Sequence, residues 1–110
     1  MSDPTERRAS RRFTMALPLA LQLHDSSGPV EKPGETRDVS FRGLYFWTKE
    51  ALETGHPIEF VLTFPKEITL TRDVYIHCFG RVTRVDNQNQ QQTRGVAARI
   101  ERYEFLPASA

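Results

Sequence analysis

The sequence has little of several features on which secreted, membrane-spanning or metal-binding proteins depend. It contains one cysteine, Cys78, so no intrachain disulfide can form, and a zinc site built from two or more cysteines is excluded. No run of about 18 apolar residues occurs, which excludes a membrane-spanning helix. No signal-peptide segment follows Met1, so we expect a protein of the reducing cytoplasm. With 110 residues, the chain has room for a single core.

Lysine is also scarce. Twelve of the fifteen basic residues are arginine, although the formal net charge is only +1. Four arginines lie close together near the start of the sequence, at Arg7, Arg8, Arg11 and Arg12. The planar guanidinium fork grips phosphates and guanine edges through paired hydrogen bonds. This cluster therefore predicts an anion-binding segment, while genome base composition is an alternative cause of the arginine excess.

Helical periodicity is absent, and alternation with a period of two dominates the chain. Residues 16–24 and 58–64 alternate apolar with more polar side chains, as half-buried strands do. Further strands are predicted at 36–40, 43–48, 73–86 and 96–101. Gly80 interrupts the fifth strand and predicts a bulge or a sharp bend, while residues 25–34 and 87–92 are predicted loops or hairpin turns. About six strands separated by turn signals indicate an all-β sandwich or a small barrel.

Two short motifs carry the candidate chemistry. Residues 7–12 contain two overlapping R-x-x-x-R pairs, whose ends lie about 13 Å apart when extended and about 6 Å apart in a helical turn. Residues 38–43 read D-x-S-x-x-G. A carboxylate and a hydroxyl at positions i and i+2 of a strand share one face and match a donor-rich edge such as that of guanine. Gly43 allows a positive φ or a close backbone approach.

In these motifs the sequence resembles the PilZ domain family, the bacterial receptor modules for cyclic di-GMP. The family's R-x-x-x-R corresponds to Arg8 and Arg12, because Phe13 supplies the aromatic residue that usually follows this motif. The family's D/N-x-S-x-x-G corresponds to Asp38, Ser40 and Gly43. The resemblance extends over residues 6–105 and includes weaker matches at 43–46, 80–85 and 95–100.

The resemblance implies an all-β fold, a small six-stranded antiparallel β-barrel of the split-barrel type. It divides the chain into a flexible basic arm at 1–12, a barrel at 13–106 and a short tail at 107–110. Many family members end in a helix, whereas the tail here is too short for one. This departure puts any helix-mediated dimer or output contact in doubt.

The resemblance also implies the roles of individual residues toward cyclic di-GMP. Arg8 and Arg12 would grip phosphate and the O6/N7 edge of guanine, while Asp38 and Ser40 would bind another guanine edge. Gly43 would allow the ligand to approach closely. Additional candidates are Arg7, Arg11 and Arg42. Binding is expected to order the arm against the barrel and so to signal to a downstream protein that regulates motility, pili or exopolysaccharide synthesis.

Other functional classes have weaker support in the sequence. No histidine lies near Ser40, no nucleophile elbow or phosphate-binding glycine loop occurs, and we expect no enzymatic activity. His24, His56 and His77 are scattered, so no metal or other cofactor is expected. Two alternatives remain: a PilZ-like module that acts only through protein contacts, and an OB-like barrel that binds single-stranded nucleic acid. The concentration of arginine in the arm argues against the second, and neither DNA binding nor membrane insertion is expected.

Overall fold

A computed structural model describes residues 13–86 and 93–107, and a closed antiparallel barrel contains most of them. The predicted all-β barrel is therefore confirmed. The elements in chain order are β1 (Phe13–Thr14), β2 (Pro18–Asp25), β3 (Gly28–Val39), β4 (Gly43–Thr48), β5 (Pro57–Phe64), α1 (Lys66–Thr69), β6 (Val74–Asp86) and β7 (Arg94–Phe105). The predicted arm at 1–12 and the predicted loop at 87–92 lie outside the described residues.

Six strands close the barrel, and β1 is an addition at its edge. The hydrogen-bonded order is β3-β2-β5-β6-β7-β4, and β4 pairs back onto β3. The predicted alternation fills the interior: the core contains Leu19 and Leu21 of β2, Phe60 of β5 and Val96 of β7. Cys78 is also a core residue, and burial raises the pKa of its thiol to about 12.

Strand β3 begins at Gly28, whereas the sequence predicted a start at residue 36. A hairpin was expected within 25–34, and its turn lies at Ser26 and Ser27. Pro33 and Gly34, which were interpreted as turn residues, instead belong to the strand. They are tolerated there because β3 pairs with β2 on one edge at this point, while its pairing with β4 begins only at Glu35.

Strand β7 also extends beyond its predicted end at 101. It continues to Phe105, paired with Ile76 of β6, because charged and aromatic residues alternate there as they do in a strand. The predicted irregularity at Gly80 is confirmed by a register shift between Phe79 and Gly80, and the extra residue, Glu101, lies on the partner strand β7. A side chain at Gly80 would collide with the carbonyl oxygen of Arg99, so the close approach of β7 requires glycine. The single-turn helix α1 had no signal in the sequence.

A single buried hydroxyl joins the break between β1 and β2 to β3. Thr36 Oγ1 donates to the carbonyl oxygen of Met15 (2.7 Å) and accepts from the backbone N–H of Leu17 (2.8 Å). The backbone N–H of Thr36 also donates to the carbonyl oxygen of Leu17. Thr36 is 1% exposed, so water cannot replace these partners.

We therefore predict that Thr36→Val lowers the free energy of unfolding by about 1–3 kcal/mol, because the buried N–H of Leu17 loses its acceptor. Urea denaturation measures this change. The matched control is Thr54→Val in an exposed turn, which should alter stability by much less. Equal losses for the two variants would contradict the structural role of Thr36.

Candidate functional site

The turn between β3 and β4 is built around Ser40. Its backbone N–H and its hydroxyl both donate to the carbonyl oxygen of Gly43, at 2.8 and 3.1 Å. The same hydroxyl oxygen accepts from the backbone N–H groups of Arg42 (3.2 Å) and Gly43 (3.1 Å). One donated and two accepted bonds use the full capacity of a hydroxyl. In this conformation Ser40 therefore shapes the turn and has no further hydrogen bond to offer.

Gly43 is required by the neighbouring strand. A Cβ atom at this position would lie 2.5 Å from the carbonyl oxygen of Ala98 on β7, which is closer than real Cβ contacts. Of the two possibilities that the sequence raised, a close backbone approach is therefore the one observed. The carbonyl oxygen of the adjacent Arg42 accepts from the N–H of Ile100 (2.7 Å), which fixes the turn against the same strand.

A bulge in β3 directs Asp38 to the outside of the barrel. Thr36 pairs with the core residue Phe46, whereas Asp38 pairs with the preceding residue, Tyr45, so Arg37 is the extra residue. Because adjacent residues of β4 point to opposite faces, Thr36 faces the core and Asp38 faces outward. Without the bulge, the two residues would share a face.

Arg37 covers both Asp38 and Tyr45. Its Nε–H donates to Asp38 Oδ2 at 2.8 Å, and the side chain of Asp38 is 8% exposed. The guanidinium carbon of Arg37 also lies 3.9 Å from the centre of the Tyr45 ring, in a cation–π contact. Asp38 thus presents an acceptor group on the outer surface, where a cationic donor group already contacts it.

Tyr45 extends this arrangement over the outer side of β7 to β6. Its hydroxyl donates to Asp86 Oδ2 at 2.7 Å, and Arg84 Nε–H donates to Asp86 Oδ1 at 3.2 Å. Burial, followed by the bond to Asp86, raises the pKa of Tyr45, whereas the bond from Tyr45 is the main cause that lowers the pKa of Asp86. We call the outer surface formed by Arg37, Asp38, Tyr45, Arg84 and Asp86 the Tyr45 face.

Trp47 borders the Tyr45 face. Its ring meets the Tyr45 ring edge to face, with the ring centres 5.4 Å apart. Three adjacent residues of β4 are aromatic, and successive residues of a strand point to opposite faces. Phe46 is in the core, while Tyr45 and Trp47 lie on the outer side.

Strand β1 brings the start of the described chain to the D-x-S-x-x-G motif. Phe13 pairs with Val39, and Thr14 pairs with Asp38. The segment that precedes Phe13 carries Arg12, Arg11, Arg8 and Arg7, all of which lie outside the described residues. The chain therefore enters the barrel beside Asp38, with the R-x-x-x-R motif directly before the point of entry.

Sequence reasoning found Asp38 but missed most of the Tyr45 face. Alternation in β4 could have placed Tyr45 outside, because Leu44 and Phe46 are both apolar. No local pattern links Tyr45 to Asp86, which is 41 residues further along the chain. Among the described residues, no group of three histidine, cysteine or acidic side chains is arranged to hold a metal ion. No helix in the same residues is long and apolar enough to cross a membrane.

Comparisons with known proteins identify the class of this barrel. The family model for the PilZ domain matches residues 6–107, so the chain belongs to the PilZ family, whose members are receptor modules and not enzymes. A similar solved structure is the Bacillus subtilis inhibitor of motility (MotI/DgrA), with a TM-score of 0.68 and 14% sequence identity. That match covers 89% of this chain and 44% of the neighbour, so this chain spans less than half of the neighbour's length. No curated protein matches.

We predict that Tyr45→Phe lowers the free energy of unfolding by about 1–2 kcal/mol near pH 7, because Asp86 loses a hydrogen bond. The pKa of Tyr45 is raised, so its protonated form stabilises the fold; that contribution is complete below the unfolded pKa of about 10 and is lost as the pH rises through the folded pKa. The stability difference between wild type and variant should therefore shrink above about pH 10. Urea denaturation across this range, with Tyr103→Phe as an exposed control, measures it, and a constant difference would contradict the assignment.

Proposed function

We propose that this chain is a cytoplasmic cyclic di-GMP receptor that binds its ligand between the arginine arm and the Tyr45 face. The observation that carries the proposal is the pairing of β1 with the end of β3. Phe13 and Thr14 lie opposite Val39 and Asp38, so the R-x-x-x-R segment is continuous with a strand beside Asp38. The D-x-S-x-x-G motif therefore lies beside the strand that directly follows the R-x-x-x-R motif in the sequence.

The chemistry of the two motifs is complementary to a guanine dinucleotide. Arg8 and Arg12 can donate paired hydrogen bonds to phosphate oxygens or to the O6 and N7 acceptors of guanine. Asp38 offers an acceptor for the N1–H and N2–H₂ donors on the other edge of the base. Ser40 contributes indirectly, because its three hydrogen bonds hold the turn that follows Asp38.

Ligand binding would also supply the signal. Four clustered arginines repel one another, and two phosphates remove that repulsion while giving the guanidinium groups partners. The arm is then ordered against the barrel, and a downstream protein recognises the new surface. The neighbouring structure is described as an inhibitor of motility, and control of motility is accordingly the output that we propose for this chain.

Calorimetric titration with cyclic di-GMP tests this function, with cyclic di-AMP as the matched ligand control. Guanine presents two acceptors where adenine presents a donor beside an acceptor, so cyclic di-AMP should bind far more weakly.

Arg8→Ala and Arg12→Ala should each cost about 2–4 kcal/mol of binding free energy with little effect on folding. Equal affinity for the two dinucleotides would refute the proposal. If only Arg7→Ala and Arg11→Ala lose binding, the functional R-x-x-x-R pair is Arg7 and Arg11.

Arg37 occupies the acceptor that the ligand needs. A guanidinium group donates from adjacent N–H groups, as the N1–H and N2–H₂ edge of guanine does. In the structure it donates to Asp38 while lying on the Tyr45 ring, so it fills both the polar and the stacking positions of the Tyr45 face. We therefore expect cyclic di-GMP to compete with Arg37 for the carboxylate of Asp38.

We predict that Arg37→Ala binds cyclic di-GMP about three- to tenfold more tightly, because a partly exposed ion pair no longer has to be broken. Asp38→Ala should weaken binding, and the double variant Arg37→Ala/Asp38→Ala should lose the gain. Titration of the three variants at one ionic strength measures the coupling. Weaker binding by Arg37→Ala would instead make Arg37 a direct ligand contact.

A further inference from the structure

The last part of β7 has a free edge. On one side, β7 pairs with β6 as far as Phe105. On the other side, its pairing with β4 ends at Arg99, followed by one hydrogen bond from Ile100 to Arg42. Beyond Ile100, no strand of the described chain lies against this second edge. Unpaired strand edges are templates for pairing with another chain.

The direction of the backbone hydrogen bonds shows which residues have their N–H and C=O groups at the free edge. The N–H of Leu106 donates to the carbonyl oxygen of Tyr75, on the β6 side. In an antiparallel ladder, such bonds recur at every second residue, so the backbone groups of Glu104 and Arg102 also point toward β6. Those of Tyr103 and Phe105 therefore point to the free edge.

An apolar surface adjoins the same edge. Four of the five aromatic residues that line an open pocket of about 190 Å³ are exposed, and the apolar lining also includes Leu62 and the core residue Cys78. The exposed fractions of these rings are large: Phe41 73%, Phe105 65%, Phe13 50% and Tyr103 44%. At about 200 Å² for each fully exposed aromatic residue, the patch amounts to roughly 450 Å². Patches of this size on a monomer commonly mark interaction sites.

The charges on the outer face of this segment are self-complementary. Arg102 stacks on Phe79, and Glu104 lies 3.7 Å from His77, so both charged groups are on the outside of the barrel. If two copies of the segment pair antiparallel about Tyr103, Arg102 of each copy lies opposite Glu104 of the other. These are the non-hydrogen-bonded positions of the new ladder, where opposing side chains are closest.

The neighbouring registers are disfavoured by the same charges. A two-fold axis at Glu104 would place the two glutamates opposite each other, and an axis at Arg102 would do the same for the arginines. Like charges directly opposite are destabilising. The hydrogen-bond phase allows all three of these registers, and the charge order favours the one with Tyr103 opposite Tyr103.

We propose that the free edge of β7 is a dimer interface, at which a second copy of this chain pairs antiparallel around a two-fold axis at Tyr103. Such an arrangement joins two barrels through one ladder and covers both aromatic patches. Two patches of this size bury roughly 900 Å², near the lower limit of about 1,000 Å² for a specific interface. The dimer is accordingly reversible and dependent on concentration. The proposal does not depend on nucleotide binding.

Analytical ultracentrifugation of the full chain over a concentration series tests the interface, without any nucleotide. Wild type should show a reversible monomer–dimer equilibrium. Glu104→Arg and Arg102→Glu each turn two attractive cross-strand pairs into repulsive ones, and should raise the dimer dissociation constant at least about tenfold. The double variant Arg102→Glu/Glu104→Arg exchanges the charges and should recover the dimer. Glu53→Arg, in the exposed turn between β4 and β5, is the matched control and should leave the equilibrium unchanged.

A second variant tests the edge independently of charge. Tyr103→Pro removes an N–H that points to the free edge while keeping the bonds to β6, so circular dichroism should show a folded barrel and sedimentation should show a monomer. A wild-type chain that remains monomeric at its highest soluble concentration would overturn the proposal. A dimer that persists in both Glu104→Arg and Tyr103→Pro would also overturn it, and failure of the charge exchange to restore the dimer would overturn the register.

Discussion

The bulge at Arg37 is the constraint on which the outer surface of this barrel depends. By inserting one residue between Thr36 and Asp38, it turns one side chain into the core and the other toward solvent. Thr36 can then hold the break between β1 and β2 from inside, while Asp38 joins Tyr45 outside. A regular strand would place both polar groups on one face, and would either bury a carboxylate without water or leave the Leu17 N–H without an acceptor.

The same bulge explains why different residues of the D-x-S-x-x-G motif have the structural role and the proposed functional role. Ser40 and Gly43 are fully used in closing the turn and admitting β7. Of these three residues, only Asp38 accepts a hydrogen bond from Arg37, and we expect a ligand to compete for that bond. In the structure, Ser40 and Gly43 therefore hold the turn, and Asp38 presents the acceptor that the proposed ligand would use.

Most of the fold could be predicted from the sequence, because apolar and polar residues alternate along half-buried strands. This alternation placed Leu19, Phe60 and Val96 in the core, and Gly80 marked the irregularity between β6 and β7. The bulge at Arg37 has no such mark, since arginine gives no backbone signal. The bond from Tyr45 to Asp86 depends on the register of three strands, which no local window contains. The candidate site was thus visible as motifs, but its Arg37, Tyr45 and Asp86 members required the closed barrel.

The two proposed surfaces are linked through Phe13 and Phe41. Phe13 follows the arginine motif and also lines the apolar pocket, and Phe41 lies inside the D-x-S-x-x-G motif with its ring in the same pocket. A ligand that orders the arm must therefore fix Phe13 as well, and a second copy on β7 must contact a rim that Phe13 and Phe41 form. Thermodynamic linkage then requires reciprocity: whatever factor the ligand imposes on dimer affinity, the dimer imposes on ligand affinity. In this way, ligand binding at the arm would be passed to a second copy of the chain.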